Sequence, residues 1–141
     1  MSYTAAENER SREGIVKFGR VTAVDAGTAR AKVSFGGESE SDWLPWLAER
    51  AAAISIWAPV AVGEQVVVLS ESGDTAQGVI IGSVFSQGNP GAAAAEDLFK
   101  IQVGPSSIEI DARGITIESN GSRIVLDASG VSINGAKIDL N

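Results

Sequence analysis

The chain has 141 residues, a net charge of −7, and neither cysteine nor histidine. Without cysteine there is no disulfide framework or thiol nucleophile, and without histidine the commonest metal ligand and general base are missing. The acidic balance argues against a nucleic-acid partner, which requires a basic surface. The sequence has no apolar run of about 20 residues and no charged-then-apolar leader, so we expect assembly in the cytoplasm.

The first zone, residues 1–14, is polar and rich in charge, and it predicts either a short helix or a flexible N-terminal arm. The second zone, residues 15–88, is expected to be rich in β-structure. Its apolar alternation predicts strands near 15–25, 29–35, 64–70 and 77–85, with a short extended segment at 42–47. Five or so hairpin-linked strands in about 75 residues indicate a small OB-type barrel.

A Pro-Gly-Ala segment at 89–96 predicts a linker, and a repeat fills residues 97–141. The repeat has six aliphatic pairs, each separated by one residue, and the first members are spaced by 7, 7, 9, 7 and 7 residues. Alternation with period two predicts six short strands that each have one apolar face. The predicted core residues are Ile101, Val103, Ile108, Ile110, Ile115, Ile117, Ile124, Leu126, Val131, Ile133, Ile138 and Leu140.

Such a strand set cannot bury its apolar face alone. A single-chain solenoid usually has more repeats of constant length, whereas three chains wound around one axis would bring their apolar faces into one core. Three chains would also leave sheet edges only at the two ends. The sequence favours the three-chain rod, roughly 30 Å long at about 4.7 Å per strand. Ordinary hairpins stacked on the barrel remain the alternative.

Candidate catalytic groups do not form a recognisable set. The carboxylates of Asp42, Glu64, Glu71 and Asp74 are more typical of barrel rims and turns than of a glycosidase pair. No histidine is present to activate a serine. Asp127 and Asp139 alternate with aliphatic residues, as outward-facing strand positions do, which does not favour a cation site. We expect no enzymatic activity, no metal and no cofactor.

An OB-type barrel also suggests a binding module for nucleic acid or oligosaccharide. Single-strand binders place basic side chains beside exposed aromatic rings on which bases stack. The overall acidity favours packing roles instead. The aromatic and basic candidates are Phe18, Phe35, Trp43, Trp46, Trp57, Lys17, Arg20, Arg30 and Lys32.

In its motifs the chain resembles phage baseplate assembly protein V, the central spike family of contractile phage tails, tailocins and type VI secretion systems. The resemblance covers residues 15–141 and includes G-R-V-T-A-V-D at 19–25 and R-A-K-V at 30–33. Its most specific signals are W-L-P-W and V-G-E-Q-V. The motif residues are Trp43, Leu44, Pro45, Trp46, Gly63, Glu64, Gln65, Val66, Gly73 and Asp74.

The resemblance implies a homotrimer with an N-terminal OB-fold collar followed by an intertwined triple-stranded β-helix. Such a spike would sit on the baseplate hub protein below the tail tube, in a virion or tailocin particle. Sheath contraction would drive it through the bacterial outer membrane. Many relatives end in a His-x-His iron tip, which this sequence lacks, so we expect a separate tip-capping protein. A hub or assembly factor without a piercing role is a further alternative.

Overall fold

The computed structural model describes residues 3–74 and 76–141. Met1 and Ser2, which begin the predicted arm 1–14, lie outside these residues. The chain forms two compact units, Met1–Pro90 and Gly91–Asn141. The point of division falls within the segment 89–96, which the sequence marks as a linker.

The first unit is a small β-barrel preceded by a helix. A helix forms in the N-terminal segment, and the longer strands lie at the positions that the alternation predicts. A 3₁₀ turn spans Glu71–Gly73. The elements are α1 (Tyr3–Glu13), β1 (Val16–Asp25), β2 (Arg30–Gly36), β3 (Ser39–Glu40), β4 (Leu44–Pro45), β5 (Gln65–Leu69) and β6 (Val79–Val84).

The sheet of the first unit has the strand order β3-β2-β1-β5-β6, and β4 also pairs with β2. A parallel bridge from Trp46 to Ile80 connects the end of β4 to β6. Irregularities in register between Val21 and Ala23 and between Val67 and Val68 add local twist, which helps a short sheet to curl. The β-strands therefore enclose one core.

Alternation along the strands decides which side chains enter that core. Val66 and Val68 point inward from β5, whereas Val67 between them faces outward. A Cβ at Gly19 would clash with the side chain of Val33, so glycine allows β1 and β2 to pack closely. The fully buried hydrophobic residues are Val21, Ala31, Val33, Leu44, Val66, Val68 and Ile80.

The second unit is a single antiparallel meander. Consecutive strands are neighbours, and two-residue turns connect them. At Asn120-Gly121 both residues have positive φ, 51° and 91°, as a primed hairpin turn requires. The strands are β7 (Phe99–Val103), β8 (Ser106–Asp111), β9 (Gly114–Ser119), β10 (Ser122–Asp127) and β11 (Gly130–Asn134).

The prediction of six strands in the repeat is wrong for this chain at its sixth pair. Ile138 and Leu140 lie outside any strand and are exposed. A sixth strand would add to the sheet edge at β11, where it would gain pairing on one side only. It would also bury little apolar surface, since the apolar face of this sheet is open. Edge pairing alone does not hold such a segment in place.

Candidate functional site

One face of the second unit carries two continuous rows of apolar side chains. Residues directly opposite each other in an antiparallel ladder lie on the same face, so the strand pairing defines each row. Each row has five residues, and we call the ten residues of the two rows the apolar face. The first row is Ile101, Ile108, Ile117, Ile124 and Ile133, and the second row is Phe99, Ile110, Ile115, Leu126 and Val131.

Within the second unit the apolar face is largely open, although Ile138 lies beside Ile124 and Ile133 at one end of it. Ile115, on the central strand, is half-buried. The exposed fraction of the other aliphatic members ranges from 37% for Ile124 to 66% for Val131. No described residue of this unit is buried. Exposed apolar patches of this extent mark interaction surfaces in soluble proteins. The apolar face is therefore the strongest candidate for a binding surface.

The structure places nine of the twelve predicted core residues on the apolar face. Val103 lies on the same side but beyond the two rows, opposite Ser106. Ile138 and Leu140 do not belong to the sheet. Sequence reasoning missed Phe99, although its spacing of two from Ile101 continues the alternation by one step and was the available signal.

The opposite face of the same sheet is polar. Lys100 Nζ lies 2.9 Å from Glu109 Oε1 on the neighbouring strand, and Arg123 Nε lies 3.9 Å from Glu118 Oε2. One pair is partly buried and the other is exposed, and such pairs near the surface add little stability but suit a face that stays in water. The sheet is thus amphipathic, with its sidedness fixed by the period-two pattern.

Two aspartates hold turns at one end of this sheet. Asp111 Oδ1 accepts hydrogen bonds from the backbone N–H groups of Arg113 (2.8 Å) and Gly114 (3.1 Å). Asp127 Oδ1 accepts from the backbone N–H of Ser129 at 2.8 Å and from its hydroxyl. The Arg113 N–H chiefly lowers the pKa of Asp111, and the Ser129 hydroxyl chiefly lowers the pKa of Asp127. Both groups therefore stay charged in mildly acidic solution.

These turns should make stability depend on pH. Because the pKa of each aspartate is lower in the folded state, the stabilisation is fully present above the unfolded pKa and disappears as pH falls through the folded pKa. We expect thermal stability, followed by circular dichroism, to fall as pH drops below about 4. The variant D111N/D127N keeps an oxygen acceptor in each turn but does not titrate, so its profile should be shallower. Identical profiles would contradict this role.

The family motif residues of the first unit have structural positions. Leu44 is buried in the core, and Pro45 lies opposite Arg30 on β2. Trp46 packs against Trp57 with ring centroids 5.6 Å apart. Lys32 covers the ring of Trp43, with Nζ 5.3 Å from its centroid. W-L-P-W therefore connects the short strand β4 to the core and to the following loop.

The remaining motif residues form turns and one strand start. Gly63 and Gly73 have positive φ, 90° and 75°. Glu64 Oε2 accepts a hydrogen bond from the backbone N–H of Ala61 at 2.8 Å, and Asp74 Oδ1 accepts one from Ala76 at 3.0 Å. Gln65 lies between β1 and β6, opposite Arg20 and Val84, and Val66 is in the core. The motif therefore specifies the barrel and does not form a reactive cluster.

The structure gives little support to base stacking on the barrel. Lys17 Nζ lies 5.4 Å from the ring centroid of Phe35, and Lys32 likewise occupies one face of Trp43. Lys32 also lies 4.0 Å from Glu40, which offsets its charge. Two of the candidate rings thus already carry a cation on one face.

The hydrogen bonds of three candidate carboxylates are local turn contacts. Asp42 Oδ1 accepts from the backbone N–H of Trp43 at 2.8 Å, a local turn contact like those of Glu64 and Asp74. Within residues 3–74 and 76–141 no group of three or more metal-ligating side chains comes together. Across the same residues no helix has the length and hydrophobicity needed to cross a bilayer.

The comparisons with known proteins identify the barrel. Residues 17–85 match the family described as the type VI secretion system and phage-baseplate injector OB domain. No curated protein matches the chain. The match spans β1 to β6, which confirms both the predicted OB barrel and the resemblance found in the motifs. Residues 17–85 therefore form an injector OB domain of the phage baseplate assembly protein V family, which supports a structural role in a phage-tail or type VI baseplate.

Proposed function

We propose that the chain is the central spike of a contractile phage tail or tailocin, a homotrimer that pierces the bacterial outer membrane when the sheath contracts. The first unit forms a collar on the baseplate hub protein, and the second unit forms the shaft. The work is mechanical and involves no bond chemistry. The observation that carries this proposal is the uncovered apolar face of the second unit.

The surface area of the chain supports assembly. Two separately folded units of these sizes would together expose about 8,200 Å², by the usual scaling of surface with mass. The chain exposes 10428 Å². The excess, about 2,200 Å², lies in the range that obligate interfaces bury.

Three chains solve the burial problem of this sheet. If three apolar faces meet around one axis, each covers the others while all polar faces remain in water. Intertwining, in which strands of neighbouring chains pair in place of some hairpins, preserves this arrangement, because alternation along a strand does not depend on its partner. The product is an intertwined triple-stranded β-helix with the two apolar rows inside.

The ends of such a shaft require partners. Ile138 and Leu140 follow the last strand and are exposed, and a separate tip-capping protein would cover them. The hub protein holds the collar at the other end.

The first test is the mass of the purified full chain in solution. We expect three times 14.5 kDa by light scattering or native mass spectrometry at micromolar concentration. Electron cryomicroscopy of the assembled particle should then place the trimer on the tail axis below the tube. A monomeric mass would refute the spike, and a trimer away from the baseplate axis would refute the piercing role.

A further inference from the structure

Two Asn-Gly dipeptides lie in the second unit, and their main chains are held differently. Asn120-Gly121 forms the two-residue turn between β9 and β10, and the paired residues Ser119 and Ser122 close that turn. Asn134-Gly135 lies where β11 ends, and residues 135–141 belong to no strand. Both asparagines are exposed, so access to water does not distinguish them. The difference lies in how far the backbone around each asparagine is free to rotate.

Asparagine is a thermally labile residue, and glycine after it favours loss of the side-chain amide without an enzyme. The glycine nitrogen attacks Cγ of the asparagine, so an N–Cγ bond forms and the Cγ–Nδ2 bond breaks. The proton of the glycine N–H passes through water to the leaving nitrogen, which departs as ammonia. Water then opens the cyclic imide at either carbonyl and gives aspartate or isoaspartate. Glycine permits the attack because it has no Cβ to crowd the nitrogen.

The turn at Asn120 opposes this ring closure. The ring forms only after the backbone rotates about the Cα–C bond of the asparagine, and here φ is fixed at 51° for Asn120 and 91° for Gly121 by the hairpin. Asn120 Nδ2 also donates a hydrogen bond to Ser119 Oγ at 3.0 Å, which holds the amide. The turn must therefore open first, and each 1.4 kcal/mol of opening free energy slows the reaction about tenfold.

The chain after Asn134 offers no such resistance. Asn134 is the last residue of β11 and pairs with Arg123, but β11 lies at the sheet edge and no strand continues beyond it. Rotation at Asn134 moves only the unpaired residues 135–141, and the end of an edge strand opens at low cost. We propose that Asn134 is a site of spontaneous deamidation, whereas Asn120 is protected by its turn. This inference does not depend on the proposed spike.

The surroundings of Asn134 tolerate both products. A carboxylate at position 134 would lie opposite Arg123 on the polar face, and Arg123 Nε already lies 3.9 Å from Glu118 Oε2. The added negative charge therefore has a cation beside it. Isoaspartate inserts a carbon atom into the main chain, and the unpaired residues that follow β11 absorb that insertion. The same insertion at Asn120 would break a turn that is paired at both ends.

Peptide mapping by mass spectrometry tests the site in the full-length chain. The folded chain is kept in mildly alkaline buffer and digested after increasing times, and the aspartate and isoaspartate peptides are separated by chromatography. Residue 134 should convert at least about ten times faster than residue 120. In guanidinium the difference should disappear or reverse, because both dipeptides are then unconstrained and the branched Ile133 crowds its neighbour more than Ser119 does.

The variant G135A is the matched control for the attacking nitrogen. The added Cβ would lie 3.1 Å from Ser122 Oγ, the end of a short side chain that can turn away, so the fold should be kept. Conversion at residue 134 should slow because the methyl group crowds the nitrogen, and conversion at residue 120 should not change. Equal conversion of residue 134 in G135A and the unmodified chain would contradict attack by this nitrogen.

The remaining outcomes separate this inference from the proposed function. Equal rates at the two sites of the folded chain refute it, and so does an intact Asn134 after a time in which the unfolded chain converts. A preference for residue 134 that persists in guanidinium refutes the role of the turn. A monomeric mass with rapid conversion of Asn134 refutes the spike and leaves this inference standing. A trimeric mass with a protected Asn134 does the reverse.

Discussion

Replacing Ile115 and Ile117 with aspartate is expected to convert the proposed trimer into monomers. Both residues lie on β9, the central strand of the meander, and each belongs to one row of the apolar face. In a trimer they would be buried against neighbouring chains. Two unpaired carboxylates in that core would cost several kcal/mol per chain, multiplied threefold by symmetry. The mass of the full chain by light scattering should fall to one third.

A substitution on the polar face of the same sheet is the control for this expectation. Val125 lies on β10 opposite Thr116, on the polar face of the same sheet. The variant V125D also exchanges an aliphatic side chain for a carboxylate, yet it should keep the trimeric mass. A full trimer in I115D/I117D, or a monomer in V125D, would contradict the assignment of the faces.

The same double variant should leave the barrel folded. All three tryptophans, Trp43, Trp46 and Trp57, belong to the first unit, so their fluorescence reports on that unit alone. An unchanged emission spectrum together with monomeric mass would show that assembly, and not folding of the barrel, was lost. Emission like that of the urea-unfolded chain would instead mean that the barrel depends on the second unit.

The apolar face could be predicted from sequence because alternation is a local property. Residues two apart on a strand share a face whatever the strand pairs with, and two-residue turns then fix the register between strands. Phe99 was missed although it obeys the same rule. The sequence therefore predicts almost completely which residues of the second unit lie on the apolar face.

The local pattern does not determine which strands pair with a neighbouring strand. Asn120-Gly121 and Asn134-Gly135 are the same dipeptide, yet only the first forms a hairpin turn between two strands. The strand after Gly121 pairs on both sides, whereas one after Gly135 would lie at a sheet edge. The closure of the barrel by Trp46 and Ile80 is likewise a long-range contact.

Which apolar residues of β1 and β5 are exposed is also beyond the sequence pattern. Val66, Val67, Val68 and Leu69 form one apolar run, and alternation alone does not say which of them face inward. Only the pairing with β1 shows that Val67 and Leu69 share their side with Phe18 and Val16. Long-range pairing thus decides which apolar residues are left for partners.

Replacing Leu44 with alanine is expected to destabilise the barrel by about 2–5 kcal/mol, the usual cost of emptying a buried leucine site. Leu44 is 1% exposed and lies opposite Ala31 in the core. The bridge at Trp46 holds the neighbouring backbone to β6, which limits the collapse that could fill the cavity. The midpoint of urea unfolding, followed by tryptophan fluorescence, should therefore fall clearly.

Leu47 provides a matched control three residues further along the chain. It is 64% exposed, so L47A should change stability by no more than about 0.5 kcal/mol. Equal midpoints for L44A and L47A would mean that the W-L-P-W leucine does not support the core. Both variants should retain the mass of the proposed trimer in the absence of urea, because the apolar face, which joins the chains in that proposal, lies wholly in the second unit. Loss of the trimer in L44A alone would show instead that assembly of the shaft requires an intact collar.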